Sequence, residues 1–125
     1  MSYRTKKRFG QHFLRDQAII SRIIDAARIE DGQQVVEIGP GLGVLTDQLL
    51  PLAERVHVME IDRDLIARLE QRTEKNLSVH AGDVLKLDWN GLLPDPPYTL
   101  VANLPYNISS QIVFRLLDHR PLFRR

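Results

Sequence analysis

QVVEIGPGLGVLT, residues 34–46, decides the fold. Val35, Val36 and Ile38 make a short β-branched run, preceded by an Asp31-Gly32 turn signal. Three glycines and a proline follow within five residues, at Gly39, Pro40, Gly41 and Gly43. Leu45, Leu49 and Leu50 then recur at helical spacing until Pro51 ends the run. A strand, a glycine loop and a helix in that order open a βαβ unit.

The same alternation extends in both directions. Upstream, Asp16 can cap a helix whose Ile19, Ile20, Ile23, Ile24 and Ala27 share one face. Downstream, Val56–Glu60 reads as a second strand, and a helix with Ile66, Arg68 and Leu69 follows a cap region near Asp64. Leu77–His80 is a third strand, the stretch 82–98 is irregular, and Thr99–Ala102 is a fourth strand. A last helix opens near Ser109 and carries Ile112, Val113, Leu116 and Leu117. The expected fold class is α/β, Rossmann-like, with a parallel sheet and helices on both faces.

A chain of 125 residues has the size of one modest domain, and 43% hydrophobic with 26% charged residues is ordinary for a globular one. No apolar run approaches the ~18–20 residues of a membrane span. The absence of cysteine excludes disulfides and thiolate metal sites and fits a reducing compartment. His12, His57, His80 and His119 are scattered without ligand spacing, so no metal is expected; His57, His80 and Trp89 read as packing residues.

The net charge of +1 hides an uneven distribution. Residues 1–15 hold Arg4, Lys6, Lys7, Arg8 and Arg15 without an acid, which leaves 12 basic and 16 acidic residues on the remainder. A basic arm on an acidic body suits contact with a phosphate backbone, and equally a solubilising terminus. The arm lacks the apolar core of a secretory signal.

In open parallel sheets, ligands bind at the carboxyl ends of the strands near a topological switch point. The four strand ends here read Glu37-Ile38-Gly39, Glu60-Ile61-Asp62, Gly82-Asp83-Val84 and Asn103-Leu104-Pro105. Three carry carboxylates and one an amide. The glycine spacing is G-x-G-x-G, with Val44 where a dinucleotide fingerprint has its third glycine, so the loop fits a pyrophosphate poorly. Glu60, 21 residues after Gly39, can accept from both ribose hydroxyls of an adenosine; Asp62 and Asp64 are better placed for helix capping. Asp83 can accept from an adenine amine while the Val84 N–H donates to the ring, or it can simply close an Asx-turn. Asn103-Leu104-Pro105-Tyr106 suits an amine conjugated to a ring. The Asn103 side-chain oxygen and the Leu104 carbonyl can grip its two hydrogens, and Tyr106 can stack on a base drawn out of its helix.

These strand ends resemble those of class I S-adenosylmethionine-dependent methyltransferases. With KKRFGQHFL at 6–14, VVEIGPGLGVLT at 35–46, EIDRDL at 60–65, GDVL at 82–85 and NLPYNISS at 103–110, the chain resembles the ribosomal RNA adenine N6,N6-dimethyltransferase family over essentially its whole length, and its bacterial small-subunit branch most of all. The resemblance implies S-adenosylmethionine as methyl donor, held by Gln11, His12 and Leu14 from the arm, by Glu37, Gly39 and Gly41 at its methionine end, by Glu60 at the ribose, by Asp83 and Val84 at the adenine, and by Asn103 as well. It implies Asn103, Leu104 and Tyr106 at the target base, and Arg4, Lys6, Lys7 and Arg8 on RNA. The implied reaction is dimethylation of two adjacent adenines near the 3′ end of small-subunit ribosomal RNA, in the cytoplasm, on an immature small subunit.

Family members continue for roughly another domain's length. Residues 1–15 are therefore expected to be a basic arm and 16–125 the N-terminal part of the catalytic domain. The fold would be truncated after the fourth strand and its helix, without the C-terminal helical domain, leaving the fourth strand as an exposed apolar edge with catalysis weakened. Competing readings are a large-subunit RNA methyltransferase, a nicotinamide-dependent oxidoreductase and a non-catalytic RNA-binding assembly factor.

Overall fold

The computed structural model describes residues 17–102 and 109–125, with side chains from 111 onward in the second stretch. Its elements are α1 (Gln17–Ala27), β1 (Gln34–Ile38), α2 (Val44–Leu49), β2 (Arg55–Glu60), α3 (Arg63–Glu70), β3 (Leu77–Ala81), α4 (Trp89–Leu92), β4 (Tyr98–Ala102) and α5 (Ser109–Asp118), then a 3₁₀ turn over Arg120–Leu122. The strands form a parallel sheet in the order β3-β2-β1-β4. In register, Ile38 stands beside Met59 on one side and Ala102 on the other.

Alternation along the strands builds two cores. Val35, Val56, Val58 and Val101 face Ile20 and Ala27 of α1, Leu45 and Leu49 of α2 and Leu69 of α3. Val36, Ile38, Met59 and Tyr98 face Trp89 and Leu93, Ile112 of α5 and Leu122. The chain steps outward from β1 to β3 with α2 and α3 on one face. It then returns to the far side of β1 with α4 and α5 on the other. That reversal puts a switch point between the ends of β1 and β4, just beyond the glycine loop.

Two readings are corrected, and one of two capping candidates is selected. The 82–98 stretch is not wholly irregular: Asp88 caps α4 by accepting from the Gly91 N–H at 3.2 Å, and Trp89 packs fully buried. The cap of α3 is Asp62, whose Oδ1 accepts from the Asp64 and Leu65 N–H groups at 2.9 and 3.1 Å; Asp64 lies inside the first turn. The sheet also does not stop at β4. Phe123 bridges Tyr98 in parallel, the Arg124 N–H donates to the Tyr98 carbonyl at 2.8 Å, and the Leu100 N–H donates to the Arg125 carbonyl at 2.7 Å. The outer edge of β4 is thus partly paired, because the 3₁₀ turn swings residues 123–125 back alongside it. Asp16, proposed as the cap of α1, lies outside the described residues.

Candidate methyl-donor site

The loop after β1 needs its glycines. Gly39, Gly41 and Gly43 have φ of 69°, 60° and 91°, a left-handed region in which a side chain is strained. The turn is held at both ends: the Gly39 N–H donates to the Met59 carbonyl at 3.1 Å and the Gly43 N–H to the Pro40 carbonyl at 3.0 Å. A Cβ on Gly41 would meet nothing within 4 Å. Backbone and open space therefore meet where a ligand can lie against the loop.

Glu60 ties this loop to β2. Its Oε2 accepts from the Ile61 and Asp62 N–H groups, both at 3.0 Å, and its Oε1 from the Gly41 N–H at 3.4 Å. At the next strand end, Asp83 Oδ1 accepts from the Leu85 N–H at 2.9 Å, which is the Asx-turn role set out above. The Val84 carbonyl accepts from Trp89 Nε1 at 2.9 Å, so α4 anchors this end from below.

Glu37, like Glu60, is buried. It is 1% exposed, and the Thr46 hydroxyl of α2 donates to its Oε1 at 2.5 Å. Burial pushes its carboxyl up to about 7, against the Thr46 hydrogen bond and the Arg72 charge, which pull it down.

Glu37, Gly39, Gly41, Glu60, Asp83 and Val84 thus come together along the carboxyl edge of three adjacent strands. The positions Arg4, Lys6, Lys7, Arg8, Gln11, His12, Leu14, Asn103, Leu104 and Tyr106 lie outside the described residues. Two features escaped the sequence reading. Ile61, directly after Glu60, is a large apolar side chain 61% exposed at the rim, and Leu42 in the loop is 45% exposed. An apolar residue after a strand-ending acid was the available signal. Thr46, the partner of Glu37, was also missed.

His57 and His80 are packing residues. His57 Nδ1 and His80 Nε2 are 3.0 Å apart, their rings stack at 5.3 Å, and the Tyr98 ring packs edge-on to His57. Burial, then the neighbouring His80 and Arg55, hold His57 down to about 4. No helix among the described residues is long and apolar enough to cross a membrane, and they contain no cluster of three His, Asp or Glu suited to a metal ion.

A parallel sheet with a glycine loop at its switch point and acids at successive strand ends defines a Rossmann-like fold of the class I methyltransferase type. The chain matches the ribosomal RNA adenine dimethylase family over residues 2–124. It is 62% identical, over all 125 residues, to the ribosomal RNA small subunit methyltransferase A of Syntrophotalea carbinolica, of which it covers 47%. Among solved structures, a dimethyladenosine transferase from Plasmodium falciparum aligns with a TM-score of 0.68 at 40% identity, over 85% of this chain and 38% of that one. The 23S rRNA methyltransferase ErmE aligns at 0.72 and 34%, over 89% and 44%. The chain spans about half the length of the curated relatives it matches. It belongs to the ribosomal RNA adenine dimethylase family.

Proposed function

We propose that this chain forms the methyl-donor half of an enzyme that dimethylates adenine N6 in small-subunit ribosomal RNA. The observation that carries the reading is the gathering of the glycine loop, Glu60 and Asp83 along one sheet edge, with open space at Gly41. The edge suits S-adenosylmethionine: backbone that can be approached closely, a carboxylate for ribose hydroxyls, and apolar Ile61 beside it for a flat base. When bound, the donor supplies an electrophilic methyl group on a sulfonium.

The chain's own residues supply position. Glu60 accepts from the ribose hydroxyls, Asp83 from the donor's adenine amine, and the Val84 N–H donates to the ring. Gln11, His12 and Leu14 close over the donor and exclude water. Beyond β4, the Asn103 side-chain oxygen and the Leu104 carbonyl accept from the two hydrogens of the target amine. This turns the nitrogen lone pair out of the ring and toward the methyl carbon. Tyr106 stacks on the extruded base. The methylated nitrogen would release its proton to solvent, so no strong base is needed. Arg4, Lys6, Lys7 and Arg8 hold RNA phosphates.

The finer reading favours an immature small ribosomal subunit, in the cytoplasm, over large-subunit RNA. It rests on 62% identity across the whole chain to a small-subunit enzyme, against 34% to the 23S enzyme. The test is transfer of labelled methyl from S-adenosylmethionine to immature small subunits and, separately, to large-subunit RNA. Dimethyladenine in small-subunit RNA, lost in Asn103→Ala, supports the reading. Label confined to large-subunit RNA, or function preserved in Asn103→Ala, contradicts it.

A further inference from the structure

Trp89 is the single tryptophan of the chain, the first residue of α4, and fully buried. A buried indole N–H needs an acceptor wherever it lies. What sets this one apart is the acceptor it has. Its Nε1 donates at 2.9 Å to the carbonyl of Val84, the residue after Asp83 in the turn that follows β3.

The peptide unit that carries the Val84 carbonyl also carries the Leu85 N–H, which donates to Asp83 Oδ1 at 2.9 Å. A trans peptide is planar and rigid, with its C=O and N–H on opposite edges. One flat plate therefore joins the Trp89 indole to the Asp83 carboxylate. The preceding plate is held by other groups: the Asp83 carbonyl accepts from the Lys86 and Leu87 N–H groups at 2.8 and 2.9 Å. The Val84 N–H, on that preceding plate, is thus set without the indole.

The indole itself has little freedom. The Arg115 guanidinium of α5 lies 5.5 Å from its ring centre, the His119 ring 5.0 Å away, and the Phe123 ring 5.9 Å away edge-on. Arg115 Nη2 also donates to the Leu87 carbonyl, so α5 holds the turn at a second point. At its start, the Gly82 N–H donates to the Glu60 carbonyl at 2.8 Å and ties the turn to the end of β2.

We propose that Trp89 is a positioning residue for the adenine end of the methyl donor: through the Val84–Leu85 peptide, its indole N–H fixes the Asp83 carboxylate to receive the adenine amine. The inference deepens the donor-site reading and rests on it. A carboxylate held at one oxygen offers the other in a set direction, which spares ordering when the ligand binds. Packing alone asks only for a large apolar side chain at this position. Positioning asks for the N–H.

Because the chain has one tryptophan, a tryptophan auxotroph changes this indole and no other residue. Benzothienylalanine puts sulfur in place of the N–H at nearly the same volume, and thienopyrrolylalanine keeps the N–H. Calorimetry compares S-adenosylmethionine with its analogue bearing hydrogen in place of the adenine amine, and hydrogen exchange follows the Leu85 amide. The wild type prefers S-adenosylmethionine by roughly 10–100-fold, the worth of a hydrogen bond to a charged acceptor, and Asp83→Ala loses that preference. In the sulfur variant the preference falls by about tenfold, through weaker binding of S-adenosylmethionine alone, and the Leu85 amide exchanges about tenfold faster. The variant that keeps the N–H matches the wild type in both. An unchanged preference in the sulfur variant, or an equal loss for both compounds, makes Trp89 a packing residue and overturns the proposal. A wild type that binds neither compound refutes the donor-site reading itself, while the Leu85 exchange still decides whether the indole holds Asp83.

Discussion

Replacing Glu37 by glutamine is expected to make the protein more stable at neutral and alkaline pH. The wild-type carboxyl is raised from an ordinary 4.5 to about 7 by burial. The folded state therefore holds a proton that the unfolded chain releases between those values. The contribution of this group to stability is fully present below pH 4.5, declines as pH rises toward 7, and stays low above it. At ~1.4 kcal/mol per pH unit the decline amounts to about 3 kcal/mol. Glutamine is nearly isosteric, carries no charge, and keeps an oxygen for the Thr46 hydroxyl, so it removes the slope. Urea unfolding followed by circular dichroism at pH 5, 6, 7 and 8, extrapolated to water, measures it. The stability of Glu37→Gln relative to wild type should rise by about 3 kcal/mol from pH 4.5 to 8, roughly 10–15 °C in Tm for a domain of this size. Other titrating groups are common to both proteins and cancel in the difference. Parallel stability curves would refute the reasoning, since they would mean that Glu37 is ionised as easily folded as unfolded.

His57 works in the opposite sense: held down to about 4 from 6.5, it contributes stability above pH 6.5 that is lost as pH falls through 4. Because the site is partly solvated, the loss should be about 1–2 kcal/mol, and His57→Gln should flatten that acid limb in the same unfolding series. Trp89→Ala empties a fully buried site and should cost about 3–5 kcal/mol. Trp89→Phe, which loses chiefly the bond to the Val84 carbonyl, should cost about 1–2 kcal/mol by the same denaturation midpoints. Gly41→Ala should lower stability by only about 1–2 kcal/mol, because its Cβ meets no neighbour, yet weaken S-adenosylmethionine binding about tenfold in calorimetry by filling the space a ligand needs.

The strands were legible because each carries β-branched valine, and β1, β3 and β4 border a glycine or a proline. Gln34–Ile38 forms as expected, and the others differ by one residue at an end. What escaped had no local periodicity. Trp89-Asn90-Gly91-Leu92 carries an interior glycine and is too short for an amphipathic face; it forms because Trp89 is buried against β4 and Asp88 caps it. Phe123-Arg124-Arg125 looks like a charged tail, and only the 3₁₀ turn brings it beside Tyr98. Acids at successive strand ends marked Glu60 and Asp83 as candidates, and the fold brings both to one sheet edge. Depth was not legible: nothing in VVEIG distinguishes a surface acceptor from the buried group that Glu37 is. Nor was Arg72, whose partners Asp47 and Gly43 lie 25 and 29 residues away in the chain and meet it only in the folded structure.

The most direct test of the central claim, that these strand ends hold a methyl donor, is a thermal-shift titration of the protein and of Glu60→Ala with S-adenosylmethionine, with NAD in parallel. The account predicts a concentration-dependent rise in Tm of the wild type with S-adenosylmethionine, none with NAD, and a strongly reduced rise in Glu60→Ala. Stabilisation by NAD alone, or an equal shift with S-adenosylmethionine in both proteins, would contradict it.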